Sequence, residues 1–313
     1  MCKKTFYSYI NLNHKMKIII AAGTGFLGKN LKNYFTGKGH QVYVLTRNPK
    51  LKNEIYWDAK TLGEWKRILE NADVIINLAG KSVDCRYTDK NKKEIYSSRI
   101  ESTKVLQQAV NECISKPKVW LNASSATIYI HSETHLNTEE NGVIGDDFSM
   151  NICKSWESEF FKTKTENVRK IALRTSIVLG NYGGAFPKLK MLTKLGLGGK
   201  QGRGDQNVSW VHIDDFCKAV EFILKDENLS GPINITAPEP LSNEEFMMKL
   251  RKAMKVPFGL NAPVWQLVIA SVFLKTQTEL LLKSRNVYPE KLILNGFEFK
   301  YPQVEKAFEN LIY

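Results

Sequence analysis

The chain has 313 residues, and its 45 Lys and Arg against 32 Asp and Glu give a formal charge of +13. Hydrophobic residues make up 43% and aromatic residues 11%, which excludes a disordered or fibrous chain. The length fits one large domain or two small ones. Five scattered cysteines without a CxxC pair indicate reduced thiols in a cytoplasmic protein, with no disulfide framework and no metal site.

No segment reaches the roughly 18–20 apolar residues that a membrane helix needs. The longest apolar run, residues 264–274, is too short and contains Gln266 and Ser271. Residues 1–15 lack the apolar core of a signal peptide, so they predict a polar N-terminal extension, with Met16 as an alternative natural start. We therefore expect no membrane partner.

The excess of basic over acidic residues, with a sequence pI near 9.3, is typical of proteins that bind nucleic acid or another anionic surface. However, the positive charge is spread along the whole chain, without an Arg-rich block, zinc-finger spacing or an RNP-like aromatic motif. We favour a lysine-rich solvated surface and no nucleic-acid partner. DNA binding stays an alternative hypothesis, testable by salt-dependent retention.

Strand-like and helix-like segments alternate through the first 180 residues. Near-continuous apolar runs predict buried parallel strands at 17–22, 42–46, 74–80, 118–125 and 170–180. Helical spacing predicts helices within 23–35, over about 91–113 and through 154–161. This βαβα succession predicts an α/β fold with a Rossmann doubly wound parallel sheet and helices on both faces.

The regular alternation of strand-like and helix-like segments ends at about residue 180. We expect a smaller α+β C-terminal substrate lobe after it. Residues 196–206 predict a Gly-rich loop, 208–213 and 232–238 predict strands, and 289–294 and 297–301 predict a helix and a strand. Asp214 is the expected N-cap of the helix at 214–224, and Ser242 with Glu245 predicts a capping box. The predicted division is an extension at 1–15, an NAD(P)-binding domain at 16–185 and the lobe at 186–313.

Gly23, Gly25 and Gly28 form a GxGxxG pattern directly after an apolar strand and at the start of a helix. The first glycine permits a tight turn, the second lets a pyrophosphate approach the backbone, and the third allows close helix–strand packing. The alternative is an ordinary Gly-rich turn. In this context, the pattern predicts phosphates bound at the positive helix end.

The end of the second predicted strand distinguishes the two dinucleotides. A carboxylate about twenty residues after the glycines would bind a free ribose 2′-hydroxyl, but this strand ends at Thr46 and Arg47. The guanidinium of Arg47 suits a 2′-phosphate, with Lys50 to assist. The sequence therefore favours NADP as the cofactor, and NAD stays the alternative.

Several short sequence segments resemble those of a known protein superfamily. AAGTGFLG (21–28), NLAG (77–80) and SSATIY (124–129) resemble the extended short-chain dehydrogenase/reductase superfamily, which includes sugar-nucleotide epimerases. Longer strings resemble its atypical epimerase-like branch with a C-terminal domain of unknown function; they lie at 89–103, 173–189, 195–215, 234–246 and 288–302. The resemblance covers nearly all of the chain from Met16. It implies a Rossmann fold that binds NAD(P) and a second lobe that closes over a substrate.

The resemblance also implies cofactor-binding residues. These are the phosphate turn, the strand end beside the ribose, and two residues near the nicotinamide: Gly23, Thr24, Gly25, Phe26, Leu27, Gly28, Leu78, Ala79, Gly80, Ser124 and Lys154. Ala21 and Ala22 replace the Thr and Gly that begin the superfamily's usual TGxxGxxG string. We expect the methyl group of Ala22 to tighten the turn without loss of nucleotide binding.

The implied catalytic set is incomplete. Ser125 matches the Ser that polarises the substrate oxygen, and Lys154 matches the Lys that holds the nicotinamide ribose. The position of the catalytic Tyr is Met150, whose thioether cannot transfer a proton. Tyr129 is the first candidate replacement and His131 the second, with weaker candidates Cys153 and Tyr182. For each of them we favour the alternative interpretation, an ordinary packing or surface residue, because a single His or Tyr near a strand end is common.

Four other residues have two interpretations each. His212 and Asp214 fit a strand–helix junction better than chemistry. Arg174, in a predicted buried strand, either braces the fold through an ion pair or contacts an anionic substrate. Lys200 and Arg203, in the Gly-rich loop, are placed to close over an anionic group such as a phosphate.

These observations predict an NADP(H)-binding oxidoreductase or epimerase. Its expected substrate is a small metabolite with a hydroxyl or carbonyl group, such as a sugar nucleotide or a phosphorylated compound. The alternative is a non-catalytic NADP-binding sensor or interaction protein, which the missing Tyr favours and the retained Ser125 and Lys154 oppose.

Overall fold

The computed structural model describes residues 15–163, 165–273 and 282–313. The predicted N-terminal extension therefore lies, except for Lys15, outside the described residues. Seven parallel strands form the central sheet in the order β10-β6-β5-β4-β1-β2-β3. Their bounds are β1 Lys17–Ala21, β2 Gln41–Thr46, β3 Glu54–Tyr56, β4 Val74–Asn77, β5 Val119–Ser125, β6 Arg169–Thr175 and β10 Gly231–Ile235. This sheet confirms the predicted Rossmann fold class.

Helices cover both faces of the sheet. The four that flank it are α1 Phe26–Gly37, α2 Asp89–Glu112, α3 Phe148–Lys162 and α5 Ile213–Lys225. Apolar side chains of α1 and α5 pack in one hydrophobic cluster with Ile18 and Ile20 of β1. Those of α2 and α3 pack on the other face with Ile19. Because successive strand residues point to opposite faces and both faces are covered, β1 is apolar and buried from Ile18 to Ala21.

The chain order reverses beside β1. This strand pairs with β2 on one side and with β4 on the other. The strands β1 to β3 follow one another towards one edge of the sheet, and the later strands follow towards the other edge, so the strand order reverses between β1 and β4. In open α/β sheets, ligands bind in the crevice beyond the carboxyl ends of the strands at such a point. The glycine turn follows β1 directly, and residues 78–80 follow β4, so both face this crevice.

The C-terminal part is smaller and mixed. Its helices are α4 Phe186–Lys194, α6 Asn243–Ala253, α7 Val264–Phe273, α8 Glu290–Leu294 and α9 Val304–Ile312. Two short sheets pair β7 Ile177–Leu179 with β9 Trp210–His212, and β8 Asn207–Val208 with β11 Leu241–Ser242. Phe186, Phe246 and Phe308 anchor its core. The chain division at 185/186 stays a prediction, and β10 enters the main sheet from the C-terminal side of that position.

Three predicted elements were wrong in detail. The strand expected at 170–180 is two strands, because after β6 the Ser176 amide bonds the Ile235 carbonyl at 3.1 Å and β7 leaves the main sheet to pair with β9. Residues 297–301 form no strand. The segment 208–213 is likewise divided between β8 and β9. Short β-like runs are hard to assign from sequence, because their partners decide whether a ladder forms.

The start of α5 also differs from the prediction. Its N-cap is His212, whose Nδ1 accepts a hydrogen bond from the Asp214 amide at 3.0 Å. Asp214 lies in the first turn instead, where its charge still favours the helix dipole. The capping residue predicted for α6 is confirmed, since the Ser242 hydroxyl accepts from the Glu245 amide at 3.2 Å.

Candidate active site

The three glycines of the turn have different structural roles. A Cβ on Gly28 would lie 2.4 Å from the Gly23 Cα, so only glycine lets α1 approach the turn. A Cβ on Gly23 would lie 2.9 Å from Ile20 Cγ2, which is also too close. A Cβ on Gly25 would meet no atom within 4 Å. The space over Gly25 is therefore open, as a site for an approaching phosphate requires.

The first turn of α1 carries neither a side-chain cap nor an acidic residue. Its N-cap is Gly25. Unpaired N–H groups and the positive helix end together attract an anion. Ala22, directly before the turn, has a φ of 56°, the left-handed region that normally favours glycine. The replacement of the superfamily's glycine by Ala22 thus adds backbone strain at the turn.

A cavity of about 670 Å³ lies beside this turn. Ala22 and Thr24 line one part, and Thr46 and Arg47 line another. Lys50 does not line it, and its amide instead donates to Glu54 Oε2 at 2.8 Å. Lys60 does line it and was missed from the sequence, because only the course of the loop after β3 brings it beside Arg47.

Two further groups define the outer part of this cavity. The Trp57 indole is buried, lines the cavity, and its Nε1 has no hydrogen-bond partner among the described residues. Asp58 also lines it, and its carboxylate accepts from the Lys60 and Thr61 amides, both at 2.9 Å. Burial opposes ionisation of Asp58, but the hydrogen bonds from Thr61 and Lys60 outweigh burial and lower its pKa. These contacts satisfy the carboxylate locally.

The end of β4 forms the opposite wall. The Leu78 amide donates to the Ala21 carbonyl at 3.0 Å, and the Ala79 amide donates to Asn77 Oδ1 at 3.1 Å. Ala79 and Gly80 line the cavity. The local hydrogen bonds therefore hold the strand end against the glycine turn, as the predicted ribose contact requires.

The two serines at the end of β5 have different surroundings. Ser124 is buried and its hydroxyl donates to Glu157 Oε1 at 2.6 Å. Ser125 is half-buried, and its hydroxyl lies 2.9 Å from Thr127 Oγ1 and accepts from the Thr127 amide. Ser125 is thus the more accessible of the two hydroxyls.

Tyr129 belongs to a buried network. It has no exposed surface, its hydroxyl donates to Asn234 Oδ1 at 2.9 Å, and it accepts from Arg174 Nη1 at 2.8 Å. Burial raises the pKa of Tyr129, against the opposing influence of Arg174. A phenol fixed inside the core is poorly placed to meet a substrate, so its predicted role as proton donor gains no support from its position.

Helix α3 presents Met150 and Lys154 one turn apart. Met150 is 4% exposed and packs against Gly145, where an added Cβ would lie 2.0 Å from its sulfur. The Lys154 ammonium pairs with Asp146 Oδ1 at 2.7 Å, and that hydrogen bond lowers the pKa of Asp146. Asp147 caps the helix by accepting from the Met150 amide at 2.9 Å. Position 150 thus contributes packing and no proton-transfer group.

Family comparison agrees with this geometry. The model of the NAD dependent epimerase/dehydratase family matches residues 18–236, and a domain of unknown function (DUF1731) matches residues 263–311. The chain belongs to the NAD-dependent epimerase/dehydratase family. The predicted family resemblance, including the extra C-terminal domain, is confirmed.

Relatives of this epimerase-family chain match it over almost its whole length. The epimerase family protein YfhF of Bacillus subtilis is 34% identical over 302 residues, covering 95% of this chain and 98% of that protein. The epimerase family protein SERP0438 of Staphylococcus epidermidis is 33% identical over 301 residues, covering 95% of this chain and 99% of that protein.

Solved structures share the fold of this family member. The human epimerase family protein SDR39U1, crystallised with NADPH, has a TM-score of 0.85 at 28% identity and covers 95% of this chain and 99% of its own. UDP-N-acetylglucosamine 4-epimerase from Bacillus cereus has a TM-score of 0.75 at 20% identity, covering 95% of this chain and 98% of its own, and shows the fold alone. Among the described residues, no helix is both long and apolar enough to cross a membrane.

The remaining candidates in this epimerase-family chain lie in ordinary environments. His131 is half-exposed and its Nδ1 accepts from the Ser284 amide at 2.7 Å. Burial raises the pKa of Cys153 to about 12, so its thiol stays protonated near neutral pH. Tyr182 is 97% exposed. His212 is the buried cap of α5, which agrees with the junction role expected for it.

The cations of the Gly-rich loop are paired with carboxylates. Lys200 Nζ lies 3.7 Å from Glu244 Oε2. Arg203 contacts Glu133 and donates through Nε to Asp205 Oδ1 at 3.1 Å. Since these local acids neutralise both cations, the expected contact of Lys200 and Arg203 with a substrate anion stays a prediction.

Proposed function

We propose that the chain binds NADP(H) and uses it to oxidise, reduce or epimerise a metabolite with a hydroxyl or carbonyl group. The observation that carries this proposal is the start of α1, which has no side-chain cap and leaves open space over Gly25. It lies where the strand order of the sheet reverses. Neither a capping side chain nor an acidic residue of the first turn of α1 competes with a phosphate there.

The residues around this turn fit a dinucleotide. Gly23, Gly25 and Gly28 would hold the pyrophosphate, and Ala79 with Gly80 would contact a ribose. The cavity next to the turn extends to Arg47 and Lys60, so two cations line the expected place of a 2′-phosphate. Lys60 would exchange its exposed partner Glu101, whose Oε2 lies 3.7 Å from the Lys60 Nζ, for the phosphate. When bound, the cofactor supplies or accepts a hydride at nicotinamide C4.

The chain's own residues would then position the substrate. The half-buried Ser125 hydroxyl donates to Thr127 Oγ1 at 2.9 Å and would turn this proton to a reacting oxygen, while the hydrogen bond that it accepts from the Thr127 amide keeps its oxygen in place. Ser124, held by Glu157, keeps the end of β5 in place. Lys154 would exchange Asp146, which is exposed, for the hydroxyls of a ribose. A group other than residue 150 must transfer the proton, since Met150 has no ionisable atom.

The comparisons support the cofactor and the substrate class. A human epimerase family protein was crystallised with NADPH, and its structural likeness covers 95% of this chain. Proteins with the same fold include a UDP-N-acetylglucosamine 4-epimerase and an enzyme crystallised with NAD and UDP. We therefore place sugar nucleotides and phosphorylated carbonyl compounds first among the substrates to test.

Titration of the full-length protein with NADPH and NADH tests this proposal. NADPH is expected to bind at least about tenfold more tightly than NADH, the loss expected for one charge-assisted phosphate contact. Equal or tighter binding of NADH would contradict the assignment of Arg47. Oxidation of NADPH with a panel of sugar nucleotides and phosphorylated carbonyl compounds then tests turnover.

A second candidate function is a non-catalytic NADP(H) sensor. It is favoured by the burial of both Met150 and Tyr129, which leaves neither position with an accessible acid. The two functions differ in one measurement: a sensor binds NADPH tightly but does not oxidise it with any member of the panel.

A further inference from the structure

Arg99 of α2 is held rigidly beside the proposed cofactor site. Its Nη1 donates to the Lys81 carbonyl at 3.0 Å and to the Ile95 carbonyl at 2.9 Å. Its guanidinium lies 4.9 Å from the centre of the Trp156 ring. A stacked guanidinium with two anchoring hydrogen bonds has lost most of its conformational freedom, so little further entropy is lost when it binds a ligand.

No carboxylate neutralises this cation. Among residues 15–163, 165–273 and 282–313, Arg99 makes no ion pair, and its Nε and Nη2 make no hydrogen bond. Burial lowers the pKa of Arg99, and the groups that partly oppose this are the Cys153 and Cys85 thiols and the Tyr87 phenol. A half-buried charge without an opposite charge is costly, and an anionic ligand would remove that cost.

Other cations in the molecule provide the contrast. Arg169, which also bonds backbone carbonyls, uses both Nη atoms on Ile223, Leu224 and Leu229, and it has Asp226 and Glu227 within electrostatic range. Arg174 is paired with Glu157. Arg99 differs from both because, within the described part of the chain, its Nε and Nη2 donate to no group and no carboxylate pairs with it. A purely structural role would not need those unbonded donors.

The guanidinium of Arg99 lies between Gly80, at the end of β4, and Trp156 of α3. A Cβ built on Gly80 would lie 3.1 Å from the Arg99 Cζ, so the guanidinium lies directly against the strand end that lines the cofactor cavity. Tyr87 lies within electrostatic range of Arg99, and its hydroxyl is 3.4 Å from Ser149 Oγ at the first turn of α3. The Tyr87 phenol thus lies near both the guanidinium and the first turn of α3.

We propose that the guanidinium of Arg99, assisted by the Tyr87 hydroxyl, binds an anionic group of the substrate, a carboxylate or a phosphate. This inference rests on the proposed function, since it assumes that the cofactor occupies the neighbouring cavity. A planar guanidinium binds such oxyanions through two parallel hydrogen bonds, which Lys cannot reproduce. The proposal assigns to Arg99 the anion contact that the sequence predicted for Lys200 and Arg203.

The test uses the full-length protein saturated with NADPH, so that the pyrophosphate site is filled. Inorganic phosphate and acetate are titrated separately, and sodium chloride at equal ionic strength is the control. The midpoint of thermal unfolding is followed, because a ligand that binds only the folded state raises it. Phosphate, acetate or both are expected to raise the midpoint above the chloride control, and the stronger of the two identifies the anionic group.

Variants connect the effect to Arg99. Arg99→Gln should raise the half-saturating concentration of the effective anion at least about tenfold, Arg99→Lys about threefold and Tyr87→Phe about threefold. Arg67→Gln, which changes an exposed arginine paired with Glu64, should leave it unchanged. The proposal is overturned if neither anion exceeds chloride with the natural protein, or if Arg99→Gln keeps the full response.

The NADPH titration of the same proteins separates this proposal from the proposed function. If NADPH binds normally and the anions have no effect, only the role of Arg99 is lost. If NADPH does not bind, the proposed function is wrong, and the anion titration without cofactor still compares Arg99→Gln with the natural protein. If Arg99→Gln does not fold, the Tyr87→Phe comparison and the natural protein's response decide.

Discussion

Arg174 of β6 and Glu157 of α3 form a two-pronged buried ion pair. Arg174 Nε lies 2.9 Å from Glu157 Oε1, and its Nη2 lies 2.7 Å from Oε2. The pair also holds Ser124 through Glu157 and Tyr129 through Arg174. Although burial alone would lower it, the Glu157 hydrogen bonds raise the pKa of Arg174. This pair therefore connects the helix that carries Lys154 to the strand ends beside Ser125.

The contributions of Arg174 and Glu157 to the free energy of unfolding should depend on each other. Glu157→Gln and Arg174→Met are each expected to lower the free energy of unfolding by about 3–5 kcal/mol, because each leaves one buried charge unpaired. The double variant should lose less than the sum of the two single losses. Urea unfolding of the four proteins measures this coupling.

An exposed pair provides the control. Lys66 and Glu112 lie 2.6 Å apart with side chains 42% and 40% exposed, so Lys66→Gln should cost less than about 1 kcal/mol. Additive losses at positions 157 and 174 would show that the two residues do not depend on each other.

Gly25 and Gly28 should separate cofactor binding from stability. Gly25→Ala fills space that the protein leaves open, so NADPH affinity should fall at least about tenfold while the free energy of unfolding changes by less than about 1 kcal/mol. Gly28→Ala drives a methyl group into Gly23 and should lower the free energy of unfolding by more than about 2 kcal/mol. NADPH titration and urea unfolding measure the two effects.

Gly37→Ala is the matched control for these changes. A Cβ at Gly37 meets no atom within 4 Å, and the residue lies in α1 without a positive φ. Alanine there should raise the free energy of unfolding by about 0.5–1 kcal/mol and leave NADPH affinity unchanged. If Gly25→Ala leaves NADPH affinity unchanged as well, the phosphate does not lie over this turn.

Arg47 should decide the preference for NADPH. Arg47→Gln is expected to lower NADPH affinity about tenfold and to leave NADH affinity unchanged, because only NADPH carries the 2′-phosphate. Lys50→Gln, which lies outside the cavity, should change neither affinity, whereas Lys60→Gln should lower NADPH affinity by a smaller factor. A similar loss for both cofactors on changing Arg47 would place this cation on a part that the two dinucleotides share.

Sequence patterns could predict the parts of the molecule that depend on local chemistry. The apolar run of β1 from Ile18 to Ala21, the glycine turn and the helices α1 to α3 follow from periodicity and spacing, which act within one element. They also placed Arg47 at the end of β2. This is why the elements around the proposed cofactor site could be predicted before the structure was known.

The remaining features depend on contacts between distant segments. Lys60 reaches the cavity only through the course of the loop after β3. The lack of an ion pair at Arg99, as far as the chain is described, depends on which residues several separate elements bring to it. The pairing of Arg203 with Glu133, 70 residues away, is equally invisible to local patterns. The burial of Tyr129 against Asn234, 105 residues away, required the packed fold.

His212 should make stability depend on pH below neutrality. Its side chain is 1% exposed, and burial lowers its pKa to about 4 from the ordinary value of 6.5. Asp214, whose Oδ2 is 3.9 Å from Nδ1, favours the protonated ring, but burial outweighs it. Between these two values the unfolded chain binds a proton at His212 that the folded chain does not. The free energy of unfolding should therefore fall as pH falls, by up to about 3 kcal/mol.

His212→Asn isolates this contribution. Asparagine keeps an acceptor for the Asp214 amide at the start of α5, so the cap is retained, while the titrating ring and its packing against Tyr301 are lost. The variant should be less stable at pH 7, and the difference from the natural protein should shrink between pH 6.5 and 4.5, as measured by urea unfolding. The pKa of His40 is also lowered by burial, but His40 is present in both proteins, so its contribution cancels in the difference. A difference that stays constant over this range would mean that His212 has the same pKa in the folded and unfolded states.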